Sequence, residues 1–534
     1  MRPADHLTAN RHENQDSVMY LTQGLHRALA AHPDRVASVY GDRTRTFAEQ
    51  AERVRRFAGG LRALGLRADD RVGMLSLNSD RYLDYLLATC WADGVLNTVN
   101  IRWSVPEIAA SLNDCDTKIL CVGDEFAETA AAVRARCPGL AELVWCGDGP
   151  APEGMLPVEE LIAGADPVED SRRGGDSLAA LFYTGGTTGR AKGVMLSHDN
   201  LMTSALGAMA TCGFATPGGS MLHAAPMFHL GDLAGWVAHT TLGNTQVVIP
   251  RFEPGEVLRA VAAHGVTDLL LVATMVRMVF EHPDCDDTDL SSLRRLVYGA
   301  APIPTTVLER VLAKVPSLEC VQTYGMTELS PVATMLTPAD HRPGSDRLRS
   351  VGRPAVHCEL RVVDREERPV GAGVVGEVVV RGDGVMRGYW NLPDTTAEAL
   401  RGGWMHTGDG GYLDADGYLF LVDRIKDMII TGGENVYSIE VENAVTGHPD
   451  VAACAVVGVP DDRYGERVHA VVVPRAGTRP GVEDIRAFTK QMIAGYKVPR
   501  SVSFADELPL SAAGKVLKHV LREQLSAVTA AGDR

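Results

Sequence analysis

The sequence predicts an α/β protein in which helices cover mostly parallel sheets, divided into two or more domains. Apolar runs of strand length alternate with runs whose apolar residues recur at helical spacing, and short connections join them. At 534 residues the chain also exceeds what one ordinary core accommodates.

Residues 1 to about 16 read as a polar arm. Thr46-Phe-Ala-Glu49 fits a capping box, and Phe47, Ala51, Val54, Phe57, Ala58 and Leu61 then recur at helical spacing. Residues 72–77 form a buried strand that ends at Asn78-Ser79, and a helix rich in Leu and Ala runs on to about Ala92. Residues 117–122 and 142–146 are further strands. Residues 147 to about 175, rich in Gly, Pro and Asp, read as one long connection. Residues 178–182 and 194–197 are strands, with a helix from His198. Residues 266–280 give a strand, a turn and a helix whose Met275 and Met278 read as a core stripe. Residues 296–302 form a strand that runs into a small-residue turn. Residues 376–382 and 388–391 read as strand, turn and aromatic corner with a structural role. Toward the end, residues 451–457 and 468–473 are strands and 484–494 a helix. There is no internal repeat.

Composition narrows the function. Hydrophobic content of 45% and charged content of 22% are those of a soluble globular protein. A net charge of −16 argues against nucleic acid or an anionic membrane as the main partner, yet a local basic pocket still admits an anionic nucleotide. The ten cysteines are scattered without a C-x-x-C pair, which suits free thiols in a reducing cytoplasm. The first residues lack the apolar core of a signal peptide, and the long apolar run 266–280 carries Asp268 and Arg277 and is too short to span a bilayer.

The most informative stretch is Tyr183-Thr-Gly-Gly-Thr-Thr-Gly-Arg-Ala-Lys-Gly193. Gly185, Gly186 and Gly189 let the backbone turn its N–H groups inward. Thr184, Thr187 and Thr188 add hydroxyls and Lys192 a point charge, which together suit a polyphosphate. It is not the Walker loop, because Arg190 follows Gly189. Farther on, Cys320-Val-Gln-Thr-Tyr-Gly-Met-Thr-Glu328 offers a ring for a purine (Tyr324), close approach at Gly325, a hydroxyl for phosphate (Thr327) and a hard oxygen ligand for Mg²⁺ (Glu328). Asp409, just after a glycine turn, suits both hydroxyls of a ribose. In Ala224-Ala-Pro-Met-Phe-His229 the histidine, neutral or cationic near pH 7, either packs in a core or orients a carboxylate. Asp232 and Trp236 follow at near-helical spacing. They face the same cavity, or Asp232 caps the helix beginning there, the reading the spacing favours.

The loop, Tyr-Gly-x-Thr-Glu, Gly403-Trp-Met-His-Thr-Gly-Asp409, Asp423-Arg-Ile-Lys-Asp427 and Leu508-Pro-Leu-Ser-Ala-Ala-Gly-Lys515, in that order over nearly the whole chain, resemble the adenylate-forming superfamily of AMP-binding enzymes. The chain departs from the commonest pattern at Gly185, Ala191 and Ser511-Ala512-Ala513. The resemblance implies a large N-terminal domain, residues 1–425, of layered α/β subdomains with the acid and ATP sites. A small mobile α+β domain, residues 426–534, would carry the catalytic Lys515. It implies an ATP site of Thr184, Gly185, Gly186, Thr187, Thr188, Gly189, Lys192, the adenine turn Gly299-Ala300-Ala301, the run Gln322, Thr323, Tyr324, Gly325, Met326 and Thr327, then Asp409, Arg424 and Lys515. Thr184, Glu328, His229 and Lys515 would serve catalysis. The acid pocket would be bounded by His229, Asp232, Trp236, Met275, Gly299, Ala301 and Met326. Lys426 would be the hinge, and Gly432, Gly433 and Glu434 would line a coenzyme A tunnel.

The resemblance is nearest to fatty-acyl and aryl-acid CoA ligases. The expected reaction is ATP- and Mg²⁺-dependent conversion of a carboxylic acid to an acyl-adenylate, then thioester formation with coenzyme A. No extra insertion lies between Glu328 and Glu377, and no carrier domain follows the last motif, so coenzyme A is the favoured acceptor. Alternatives are loading of a carrier protein, activation of an unusual acid or of nitrite for diazotisation of an arylamine, and a silent nucleotide-binding protein. The expected partners are ATP and AMP, the acid, coenzyme A and, as a homodimer, a second copy of the chain.

Overall fold

The computed structural model describes residues 18–184, 191–299, 303–424, 427–431, 434–461, 464–510 and 516–532. The polar arm to residue 16 and Gly185, Gly186, Thr187, Thr188, Gly189, Ala300, Ala301, Lys426, Gly432, Gly433 and Lys515 lie outside the described residues. The chain divides into two units, Met1–Leu360 with Val380–Met405, and Arg361–Val379 with His406–Arg534.

In the first unit, elements form where the local sequence asks for them. Thr46 caps the Phe47–Ala63 helix, accepting from the Glu49 amide, while the Glu49 carboxylate accepts from the Thr46 amide. Phe47, Ala51, Val54, Phe57, Ala58 and Leu61 form its buried stripe. Two sheets organise the unit. One has nine strands in the order Arg353–Pro354, Thr334–Leu336, Glu319–Tyr324, Arg295–Gly299, Asp268–Val272, Ser220–His223, Thr245–Val248, Val36–Tyr40 and Arg43–Thr46. The other has eight, running from Gly388–Tyr389 through Lys192–Ser197, Leu178–Thr184, Val95–Thr98, Arg71–Leu75, Ile119–Val122 and Glu142–Trp145 to Leu156–Pro157. Pairing is parallel through both centres and antiparallel only toward the edges. Strands such as Ile119–Val122 are buried at every residue, as a sheet covered on both faces requires.

The second unit holds most of a four-stranded sheet, Glu359–Val363, Gly376–Arg381, Met405–Leu413 and Leu419–Arg424. A further sheet pairs Gly465–Pro474 with the strands Val451–Asp461, Ile429–Thr431 and Ser501–Phe504. Its core is small and valine-rich, built from Val436, Val441, Val445, Val456, Val468 and Val472.

Three expectations are corrected. The tract 147–175 is not all connection: it holds the Leu156–Pro157 strand and the Val158–Gly164 helix, which buries Val158 and Ile162. No turn separates the Asp268–Val272 strand from the Ala273–Phe280 helix, whose N-cap is Val272 itself. Met278 is 48% exposed and so is not part of a core stripe; Val276, Val279 and Phe280 carry that face instead. The described cysteines are all free thiols, and among the described residues no helix is long and apolar enough to cross a membrane.

Two buried histidines of the first unit give a pH signature. Burial pushes His198 down to about 4, and burial with the neighbouring His223 and Arg295 pushes His239 down to about 3. Unfolded, both titrate near 6.5, so below that pH the unfolded chain binds more protons than the native one. Stability is expected to fall as pH drops from about 6.5 toward 4. Denaturation midpoints measured across that window should slope less in His239→Gln than in the parent; an unchanged slope would show that His239 does not titrate in this way.

Candidate active site

Four neighbouring strands of the nine-stranded sheet, Ser220–His223, Asp268–Val272, Arg295–Gly299 and Glu319–Tyr324, run parallel. Their register sets Val272 opposite Gly299 and Gly299 opposite Thr323. Their carboxyl ends therefore open along one edge, where open α/β sheets receive ligands. Each strand leads into a segment that the sequence marks for the site: the turn to His229, the helix bearing Met275, Gly299 itself, and the run from Tyr324 to Glu328. The register thus brings His229, Met275, Gly299, Tyr324 and Met326 to one edge. Gln322 is buried inside its strand, with Thr323 and Tyr324 half-buried at the end.

The glycines at this edge are demanded by the chain itself. A Cβ on Gly299 would stand 2.9 Å from the Thr323 carbonyl oxygen, and one on Gly325 only 1.8 Å from that of Pro331. The expectation that Gly325 is there to admit a substrate therefore has a more local explanation.

His229 is the N-cap residue of the Leu230–Leu242 helix and packs against Phe228 with ring centroids 4.3 Å apart. Burial, reinforced by Arg102, pushes it down to about 4, so it is neutral near pH 7. Its Nε2 is buried with no hydrogen-bond partner among the described residues. Asp232 does not cap the helix. It sits in the first turn, 1% exposed, with Oδ2 2.7 Å from Nδ1 of His223 and Oδ1 buried without a partner among the described residues. A carboxylate in such a place needs a charge or hydrogen-bond partner, and His223 supplies it. Burial works against charging His223, but the charge and hydrogen bond of Asp232, helped by Gln246, outweigh it and the net shift is upward. Trp236, one turn on, is fully buried.

Asn78 holds the turn before His229 in place. Its amide donates to the carbonyls of His223 (3.3 Å) and Ala225 (2.9 Å), and its Oδ1 accepts from the Met227 amide (2.8 Å). Sequence reasoning identifies Asn78 only as a strand end; nothing local announces partners so far along the chain.

The phosphate-loop candidate joins two antiparallel strands, with Thr184 opposite Lys192. Tyr183, just before it, donates to Asp114 at 2.7 Å. Glu328 is buried, and its Oε1 accepts from the Tyr389 hydroxyl at 2.9 Å. The Lys192 ammonium lies 4.5 Å from the centroid of the Tyr389 ring. Among the described residues no group of three or more His, Cys, Asp or Glu forms a metal cage. One buried carboxylate without a cage fits Mg²⁺, which keeps waters and shares substrate phosphates rather than taking an all-protein site.

In the second unit, antiparallel register sets Asp409 directly opposite Arg424. Asp409 is 8% exposed, and its amide donates to the Thr407 hydroxyl, which in turn donates to the Val378 carbonyl. Glu434 begins the short Glu434–Val436 strand.

Comparison with known proteins adds to this geometry. The AMP-binding enzyme family profile matches residues 25–390, and the AMP-binding enzyme C-terminal domain matches residues 440–515. The chain is 41% identical over 494 residues to a feruloyl-CoA synthase of an Amycolatopsis species, covering 92% of this chain and 96% of the relative. It is 36% identical to a fatty acid–acyl-carrier-protein ligase of Streptomyces coeruleorubidus, covering 96% of this chain and 97% of the relative. Among solved structures, o-succinylbenzoate CoA synthetase of Bacillus subtilis with its acyl-adenylate superposes with a TM-score of 0.82 at 30% identity, covering 94% of this chain and 97% of that one.

Asn78→Ala would strand the Met227 amide and the Ala225 carbonyl, while the His223 carbonyl keeps the Ile249 amide, at a cost of about 1–3 kcal/mol for the unmet groups. Asn78→Asp retains the acceptor for Met227 but turns a buried carboxylate oxygen toward the His223 and Ala225 carbonyls, and is expected to lose at least as much. Denaturation of both variants checks this; equal stability of Asn78→Ala and the parent would show that the three contacts contribute nothing net.

Proposed function

The chain belongs to the AMP-binding enzyme family, and from that premise we propose that it is an AMP-forming acid–thiol ligase that activates an aryl acid carrying a polar substituent and passes it to coenzyme A. The observation that carries the acid class is the pair of partnerless buried atoms on one helical turn, Nε2 of the neutral His229 and Oδ1 of Asp232. A purely aliphatic chain would leave both unsatisfied, whereas a phenol or amine on the acid offers them donors. The 41% identity to a feruloyl-CoA synthase supports both the aryl acid and the acceptor.

A carboxylate is a poor acyl donor because its leaving oxygen is too basic. Attack on the α-phosphate of ATP gives an acyl-adenylate and pyrophosphate, and AMP then leaves readily when a thiol attacks. The task is to hold two anions together. Lys192, Lys515, Thr184 and the amides of the glycine loop serve it, with Glu328 holding the metal. Magnesium, when bound, supplies charge that neutralises the phosphates. Tyr324 offers a face to adenine, and Asp409 takes the ribose hydroxyls beside Arg424. Residues 426–534 carry Lys515 and turn about Lys426 between the two half-reactions, and Glu434 belongs to the thiol path. Scattered free thiols support a reducing cytoplasm as the setting.

Pyrophosphate release with a panel of hydroxylated, aminated and unsubstituted aryl acids and fatty acids, with and without coenzyme A, tests the reading. Turnover led by polar aryl acids, with thioester formed only when coenzyme A is present, is expected. Preference for fatty acids, or transfer only to a carrier protein, would overturn the acid class or the acceptor. Asp409→Ala should weaken ATP binding by about tenfold or more, since a buried charged acceptor is worth roughly 1.5–3 kcal/mol. Calorimetry showing unchanged affinity would remove Asp409 from the nucleotide site. Lys515→Ala should slow adenylation by about 10²–10³ while leaving thioester formation from supplied acyl-adenylate nearly intact. Single-turnover rates that fall equally in both halves would contradict the separation of the two steps.

A further inference from the structure

The aromatic corner 388–391 reads from sequence as scaffold, but its tyrosine stands between the two groups that meet the phosphates. The short Gly388–Tyr389 strand pairs with the strand that begins at Lys192, setting Tyr389 opposite Val194, and the Trp390 amide donates to the Gly193 carbonyl at 2.7 Å. Just upstream, the Met386 amide donates to the carbonyl of Glu328 at 2.9 Å. The corner is thus bonded through its backbone both to the end of the glycine loop and to the residue that offers a metal ligand.

The geometry around residue 388 leaves little freedom. Gly388 has a φ of +140°, and a Cβ there would stand 2.6 Å from the Thr396 methyl carbon. The Thr396 hydroxyl also accepts from the Tyr389 amide at 2.9 Å. Farther along the corner, the Trp390 indole donates to the carbonyl of Asp114, whose carboxylate takes the Tyr183 hydroxyl at the start of the loop. Both ends of the phosphate loop are therefore anchored to this corner, one directly and one through Asp114.

The side chain completes the link. The Tyr389 ring is 6% exposed, its hydroxyl donates to Glu328 Oε1 at 2.9 Å, and the Lys192 ammonium faces the ring at 4.5 Å from its centroid. A glutamate side chain has three torsions to fix before one oxygen can be presented to a metal, and a single strong donor to the other oxygen fixes them. An aromatic face holds an ammonium without neutralising it, leaving the charge available to a phosphate.

We propose that Tyr389 is a positioning residue of the adenylation site: its hydroxyl fixes the Glu328 carboxylate for the metal, and its ring holds Lys192 toward the phosphates. This rests on the reading of Glu328 as the metal ligand.

Tyr389→Phe keeps the ring and removes the hydroxyl, while Tyr389→Leu removes both. The probe is Mn²⁺, followed by electron paramagnetic resonance in the presence of α,β-methylene-ATP. Affinity for the same analogue is measured separately in EDTA, and melting temperature for each variant. Tyr389→Phe is expected to weaken Mn²⁺ binding about ten- to a hundredfold, the scale for a residue behind a metal ligand, with metal-free nucleotide affinity unchanged and melting temperature lowered no further than one lost buried hydrogen bond accounts for. Tyr389→Leu should weaken metal-free nucleotide affinity as well. In a Glu328→Gln background, Tyr389→Phe should have no further effect on Mn²⁺. Parent-like Mn²⁺ binding by Tyr389→Phe would overturn the proposal alone. An equal loss of metal binding, metal-free nucleotide affinity and melting temperature would overturn it in favour of a scaffold role. Absence of nucleotide-dependent Mn²⁺ binding by the parent protein would overturn the metal reading of Glu328 and the proposal with it.

Discussion

The register of four parallel strands is the constraint on which the first unit's site depends. Because Gly299 lies opposite both Val272 and Thr323, the strand ends cannot slide without breaking every ladder bond between them. Each strand releases its chain at the same edge, so residues from four separate stretches of sequence arrive together. The close approach also explains why Gly299 is glycine: the neighbouring strand already occupies the place of a side chain.

Behind that edge, buried polar groups are held by partners rather than by solvent. Asn78 satisfies three backbone groups of the turn ahead of His229, and His223 takes one oxygen of Asp232. Leaving such groups unpaired in a low-dielectric interior costs more than pairing them gains, so these networks fix geometry more than they add stability. Two atoms on the same turn, Nε2 of His229 and Oδ1 of Asp232, are left without a partner among the described residues. Short-range action likewise lets a chain of net charge −16 present a site for anions. Lys192 acts at close quarters, where the charge of the distant surface is screened.

Much of the fold was legible because it is written in contiguous residues. Alternating apolar and amphipathic runs placed the strands and helices, and the capping box at Thr46 and Glu49 marked a helix start that the structure shares. Misjudgements arose where composition stood in for packing. The Gly- and Pro-rich tract after residue 147 hides a short helix, because Val158 and Ile162 find a core to enter. Met278 looked like core because methionine commonly is, yet its helix face turns outward. Asp232 looked like a cap because caps are local, and no local signal names His223 as its partner.

What the sequence determined by itself was the order of elements, the glycine- and threonine-rich loop with Lys192, and the Tyr324 to Glu328 run. Each depends on torsional preference, hydrogen-bonding capacity or charge that neighbouring residues carry with them. What only the tertiary structure decided was partnership. Tyr389 and Glu328 are 61 residues apart, and Asn78 reaches a backbone amide 149 residues away. Such contacts follow from the order of strands in the sheets, which side-chain chemistry along a stretch does not encode. A hydrogen bond is specified by distance and direction in space, and those are fixed only once the sheets have formed.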